Sequence, residues 1–164
     1  MRRGRRRRAL GASRREWRDL LSAQIELARA QAEIWRRRSW QLSALLDGVT
    51  RDSTAAAPAE PTSDQWRRVA ELERALQRAT RYGVLRPRPK CLARTIALAH
   101  LVRAAGIPAA HVRIGVRRSQ SGFTAHAWLE VGWPPHIVGD RAAHIAEFTP
   151  LADLALLRSA DARW

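Results

Sequence analysis

Three residues, taken in chain order, could do chemistry together: the single cysteine Cys91, then His126, then Asp140. A thiol, an imidazole and a carboxylate are the parts of a cysteine hydrolase, in which the imidazole takes the thiol proton and the carboxylate orients the imidazole. Cys91 stands where a helix should begin, because the prolines in Leu85-Arg-Pro-Arg-Pro-Lys hold the preceding chain in extended backbone. A helix N-terminus favours an anion, and its free N–H groups could later hold an oxyanion. Arg88, Lys90 and Arg94 add positive potential. The duller alternatives are a small buried hydrophobe for Cys91 and a hydrogen-bonded histidine on a sheet face for His126.

His126 lies in an alternating run, Phe123 to Val131. Phe123, Ala125, Ala127, Leu129 and Val131 share one face, expected to be buried, and Thr124, His126, Trp128 and Glu130 share the other. Register then decides whether Asp140 reaches His126, since opposed residues in an antiparallel pair point the same way with Cβ atoms about 5 Å apart. A five-residue loop, Val131 to Pro135, sets Glu130 against His136 and His126 beside Asp140. A four-residue loop turns Asp140 to the opposite face unless a bulge restores it. His136, Asp140 and His144 recur every four residues, a metal-ligand spacing on a helix. Gly139 and the strand-like run around it argue against one helix presenting all three, so no metal is assigned. Phosphate-binding glycine loops, zinc-finger spacing and a basic region fused to heptads are all missing, and no cofactor is called for.

The elements that must position these residues can be read from periodicity. Met1 to Ser13 is a basic arm with too little apolar surface to order itself, either a solvated tail or a patch for an acidic partner. Ser13, with Glu16 three residues on, can cap a helix running towards Asp47 and stopping at Gly48, as one long helix or as two, since the pattern blurs at Arg36-Arg37-Arg38. Trp17, Leu21, Ile25, Ala28, Ala32 and Trp35 fall on one face of it, expected to meet the core; the alternative is a helix lying on a membrane surface. Thr50 to Ser63 reads as a flexible connection. A second helix should start near Asp64 and end at Gly83, burying Trp66, Val69, Leu72, Leu76 and Ala79. The helix from Cys91 to Gly106 is nearly all-round hydrophobic between Thr95 and Val102, which predicts a central place. Strands follow at Val112–Val116, Phe123–Val131 and His136–Asp140, with a short strand and a helix after Pro150 expected between Phe148 and Leu157. Helices followed by antiparallel strands make an α+β fold. The expected division is a basic, helical region over 1–49, a connection over 50–63 and an α+β domain over 64–164.

Composition bounds the partners. The chain has 164 residues, a net charge of +15 and one lysine, so arginine supplies nearly all of the positive charge and attracts acidic partners. A single cysteine excludes an internal disulfide and fits a reducing compartment. No apolar run approaches the roughly 20 residues that span a bilayer, and no apolar stretch follows Arg2–Arg8 as in a signal peptide. The chain is read as soluble and cytoplasmic.

The combination Cys91-Leu-Ala-Arg-Thr-Ile-Ala-Leu, Gly106-Ile, Ile114-Gly-Val-Arg and Ala125-His-Ala-Trp-Leu-Glu-Val-Gly resembles the lasso-peptide leader peptidases, the B proteins, in their stand-alone form. The resemblance extends from about Leu85 to Leu151. It implies a transglutaminase-like, papain-like fold with a central helix against an antiparallel sheet and a helical region before it. It also implies Cys91 as nucleophile, His126 as base and then acid, and Asp140 as the orienting acid. The implied substrate is a ribosomally made precursor peptide, commonly with threonine as the penultimate leader residue. A separate leader-recognition protein and an ATP-dependent cyclase would be the partners; nucleic acid is not expected. Two other classes stay open: a non-enzymatic basic interaction protein, and an acyl transferase with the same triad and an amine acceptor.

Overall fold

The computed structural model describes residues 13–36, 60–83, 85, 88–107, 110–120 and 122–151. The basic arm, the stretch to Asp47 and Gly48, most of the connection and the helix expected after Pro150 lie outside the described residues. The elements run α1 (Arg14–Arg36), α2 (Ser63–Tyr82), α3 (Cys91–Ala104), β1 (Ala110–Ser119), β2 (Gly122–Val131), β3 (His136–Val138), α4 (Ala142–Ile145) and β4 (Thr149–Pro150). The architecture is α+β, with an antiparallel sheet in the order β3-β2-β1-β4.

Local signals set the helix starts. The Ser13 hydroxyl accepts from the Glu16 amide at 3.2 Å while the Glu16 carboxylate accepts from the Ser13 amide at 2.7 Å, a reciprocal cap for α1. Thr62 and Gln65 form the same box for α2, which therefore begins just ahead of the expected Asp64. Val69, Leu72, Leu76 and Ala79 are buried along α2 as the spacing predicts, joined by Ala75, with Trp66 half-buried at the start.

α3 is the centre. Ala93 and every residue from Thr95 to Ala99 are buried, as are Leu101 and Val102. It packs on β1 and β2 on one side and on α1 and α2 on the other. A helix packed on both sides must be apolar over most of its surface, and from Thr95 to Val102 only Thr95 and His100 are polar.

α1 departs from expectation. The predicted inward stripe is turned out: Trp17, Leu21, Ile25 and Trp35 are exposed. A second stripe, Leu20, Ala23, Leu27, Ala30 and Ile34, meets the core instead. Its spacing is that of a heptad seam, and its two alanines let α1 approach α2 and α3 closely. Asp19 sits on that inner side and receives two hydrogen bonds from the Arg68 guanidinium, the longer 2.6 Å. Arg68 holds the Asp19 carboxyl below the usual range, outweighing the opposing effect of burial.

The sheet is covered on both faces. Val112, Leu129, Val131 and Val138 join the helical core, whereas Trp128 packs with Ile145 and Phe148 on the other side. The alternation forecast for β2 therefore fails at both ends: Phe123 and Ala125 are exposed, and Trp128 is buried. The reason is non-local. α4 and Phe148 cover Trp128, and nothing among the described residues covers the tip of the hairpin.

Candidate active site

Cys91 is the first residue of α3, and its N-cap, Lys90, makes no side-chain cap hydrogen bond, so the first-turn amides are not occupied by a capping side chain. The thiol is free and half-buried. It lines a cleft together with His126 and Asp140, bounded by Glu73, Arg94 and Trp128. The three residues singled out in the sequence thus line one cleft.

The route by which Asp140 arrives differs from the expected one. Val131 pairs with His136 and Glu130 with Ile137, so the loop is the four-residue one, Gly132 to Pro135. Continued straight, that register would aim Asp140 away from His126. The strand instead ends at Val138, and Gly139 takes φ +84°, a left-handed conformation that redirects the chain. Asp140 Oδ2 then lies 2.7 Å from His126 Nε2. The other carboxylate oxygen accepts from the Arg141 amide at 2.7 Å. Burial pushes the Asp140 carboxyl up, but the Arg141 amide and then His126 overcome this and hold it below the ordinary value.

Because β3 stops at Val138, β2 has no strand neighbour among the described residues at Ala127 and His126 on that side, and the cleft lies there. Thr95, one turn after Cys91, donates its hydroxyl to the Ala127 carbonyl at 3.0 Å. That bond ties the helix that Cys91 begins to the strand that carries His126. Its signal in the sequence is a lone hydroxyl inside an otherwise apolar helical run. Two rings hold the imidazole: Phe148 lies 5.2 Å from His126, tilted by 34°, and His144 meets it edge-on at 5.1 Å. Gly115 is opposite His126, and a Cβ there would come within 2.8 Å of the Trp128 ring. These supporting roles of Thr95, Gly115, Gly139, His144 and Phe148 were not evident from spacing.

The helical metal set is not assembled as spaced. His136 turns its ring onto Trp66, 5.1 Å away. Among the described residues, His126, Asp140 and His144 each offer one ligand atom within 4.8 Å of the others. His126 and Asp140 are hydrogen-bonded to each other.

Residues 34–153 match the family model of the transglutaminase-like superfamily. The chain belongs to that superfamily. No curated protein and no solved structure matches it. The transglutaminase-like match spans α2 through β4 and so contains the whole cleft. Membership fits a cysteine protease or an acyl transferase. None of the described helices is long and apolar enough to cross a membrane.

Proposed function

We propose that this transglutaminase-like chain is a cysteine peptidase that removes the leader from a lasso-peptide precursor, with Cys91, His126 and Asp140 as its triad. The observation that supports it best is the 2.7 Å contact of His126 Nε2 with Asp140 in the cleft that Cys91 also lines. With Nε2 taken by the carboxylate, Nδ1 is the imidazole nitrogen left to exchange a proton with the thiol. The Cys91 thiolate attacks the carbonyl of the last leader residue, and the first-turn amides of α3 receive the oxyanion. Collapse breaks the peptide bond, and His126 gives its proton to the departing amine, the new N-terminus of the core peptide. Water, deprotonated by His126, then hydrolyses the thioester and frees the leader acid. The specific substrate rests on the resemblance around Cys91, Ile114 and His126.

Intact-mass analysis tests the reading, using the precursor peptide with the separate leader-recognition protein. Leader loss that disappears in Cys91→Ala is the expected result. Cleavage should be much faster with the recognition protein than without it, because tethering raises the effective concentration of the scissile bond. A cross-linked adduct would replace hydrolysis by acyl transfer to an amine, and an unchanged mass would refute both. The freed amine is the group that an ATP-dependent cyclase would close upon.

A further inference from the structure

The outward face of α1 is apolar, edged with arginine and left uncovered by the described residues. Trp17 is 58%, Leu21 62%, Ile25 44% and Trp35 64% exposed. They lie on one stripe, with the half-buried Ala28 and Ala32 filling the gap between Ile25 and Trp35. Trp17 and Trp35 are 18 residues apart. At about 3.6 residues per turn that is a whole number of turns, so both rings stand on the same line, about 27 Å apart.

The charges sort around this line. At about 100° per residue, Arg18, Arg29 and Arg36 form a row along one edge of the stripe, and Arg14 falls within it. All four are exposed. The four acidic residues of α1, Glu16, Asp19, Glu26 and Glu33, all fall on the opposite half of the helix. Glu16 is bound to Ser13, Asp19 to Arg68, and Glu26 to Arg29 and His100. The outward half therefore presents tryptophan, leucine, isoleucine and arginine and no carboxylate.

We propose that this face seats the chain on an anionic lipid bilayer surface. A single helix face with its two tryptophans on one line is complementary to a plane. Tryptophan prefers the headgroup level, and arginine stems lie along the apolar boundary while their heads reach lipid phosphates. Electrostatics favour an acidic surface over a second copy, because antiparallel self-pairing over the stripe would set Arg18 of one chain against Arg36 of the other. The chain's net charge of +15 strengthens the same attraction. This surface is independent of the triad reading.

Co-sedimentation of the full chain with vesicles tests it, comparing phosphatidylcholine alone with phosphatidylcholine mixed with phosphatidylglycerol. Binding should require the anionic lipid and weaken as salt rises. The double variant Leu21→Gln/Ile25→Gln should weaken binding by roughly tenfold or more while leaving the urea midpoint near that of the parent. Acyl-chain-brominated lipid should quench the tryptophan emission of the parent chain, a readout that needs no variant. Equal binding to both vesicles, no binding, or binding indifferent to Leu21 and Ile25 would overturn the proposal. So would a bound parent chain whose tryptophans escape quenching, or a stripe saturated by the leader-recognition protein and not competed by vesicles.

Discussion

α1 and α3 are both rich in apolar residues, yet they use them in opposite ways. α3 is enclosed from Thr95 to Val102, and the apolar side chains of that stretch are all buried. Among the described residues, α1 has protein on one side only. It buries Ala23, Leu27 and Ala30 there, together with the charged Asp19, and leaves its two tryptophans, Leu21 and Ile25 outside. Size and hydrophobicity alone would have reversed that choice. What decided it is fit: two alanines allow close helix approach, and Asp19 finds Arg68. Gln24 adds a further tie, donating to the Ala79 carbonyl at the end of α2 at 3.1 Å. A helix's most hydrophobic stripe is therefore its inner one only when the opposing surface suits it.

The sharpest way to break the contrast is to truncate both helices alike. Leu98→Ala in α3 removes a fully buried side chain and should cost about 2–5 kcal/mol by urea denaturation. Leu21→Ala in α1 should stay within about 0.5 kcal/mol. Comparable losses would mean that the outward stripe is covered within the monomer.

Asp19→Ala is the next largest effect expected. It leaves Arg68 half-buried with Glu71 as its remaining partner, and should cost about 2 kcal/mol. A double-mutant cycle with Arg68→Ala should show most of that loss as coupling.

Gly139→Ala probes the site more than the core. The residue's φ of +84° strains any L side chain, and the added Cβ would sit 3.0 Å from Leu98 Cδ2. A destabilisation of about 1–2 kcal/mol should accompany a larger fall in iodoacetamide alkylation of Cys91, as Asp140 leaves His126. His126→Ala should slow alkylation at least as much. A Cys91 that reacts only in denaturant would identify a buried structural thiol and remove the catalytic reading.

The smallest effect is the pH dependence. Asp19 and Asp140 are both held below their ordinary values in the folded chain. The unfolded chain then binds more protons in that window, so stability rises with pH there. Their contribution is complete above the unfolded carboxyl value of about 3.9 and is lost as pH falls through the folded values. Asp140→Asn should flatten this acid limb only slightly, Asp19→Asn more, measured as the urea midpoint against pH.

Read by itself, the sequence determined what depends on neighbours along the chain. Reciprocal caps at Ser13 and Glu16, the stop at Gly83, the nearly all-round apolar α3 and the thiol at its start are set by side chains within one or two turns, and all of these appear. The α+β order was legible for the same reason. Cys91 was legible as a candidate because it is the single cysteine, and His126 and Asp140 because each sits in a strand-like run after it. Tertiary structure alone decided which of the two stripes of α1 faces in, since both have helical spacing and only α2 and α3 distinguish them. It also decided how Asp140 reaches His126. Register gives the wrong face, and the redirection at Gly139 beside Leu98 restores the contact. Trp128 is buried rather than half-solvated because α4 and Phe148, more than a dozen residues on, fold back over it. Contacts of that kind are set by where distant segments land, which no local period encodes.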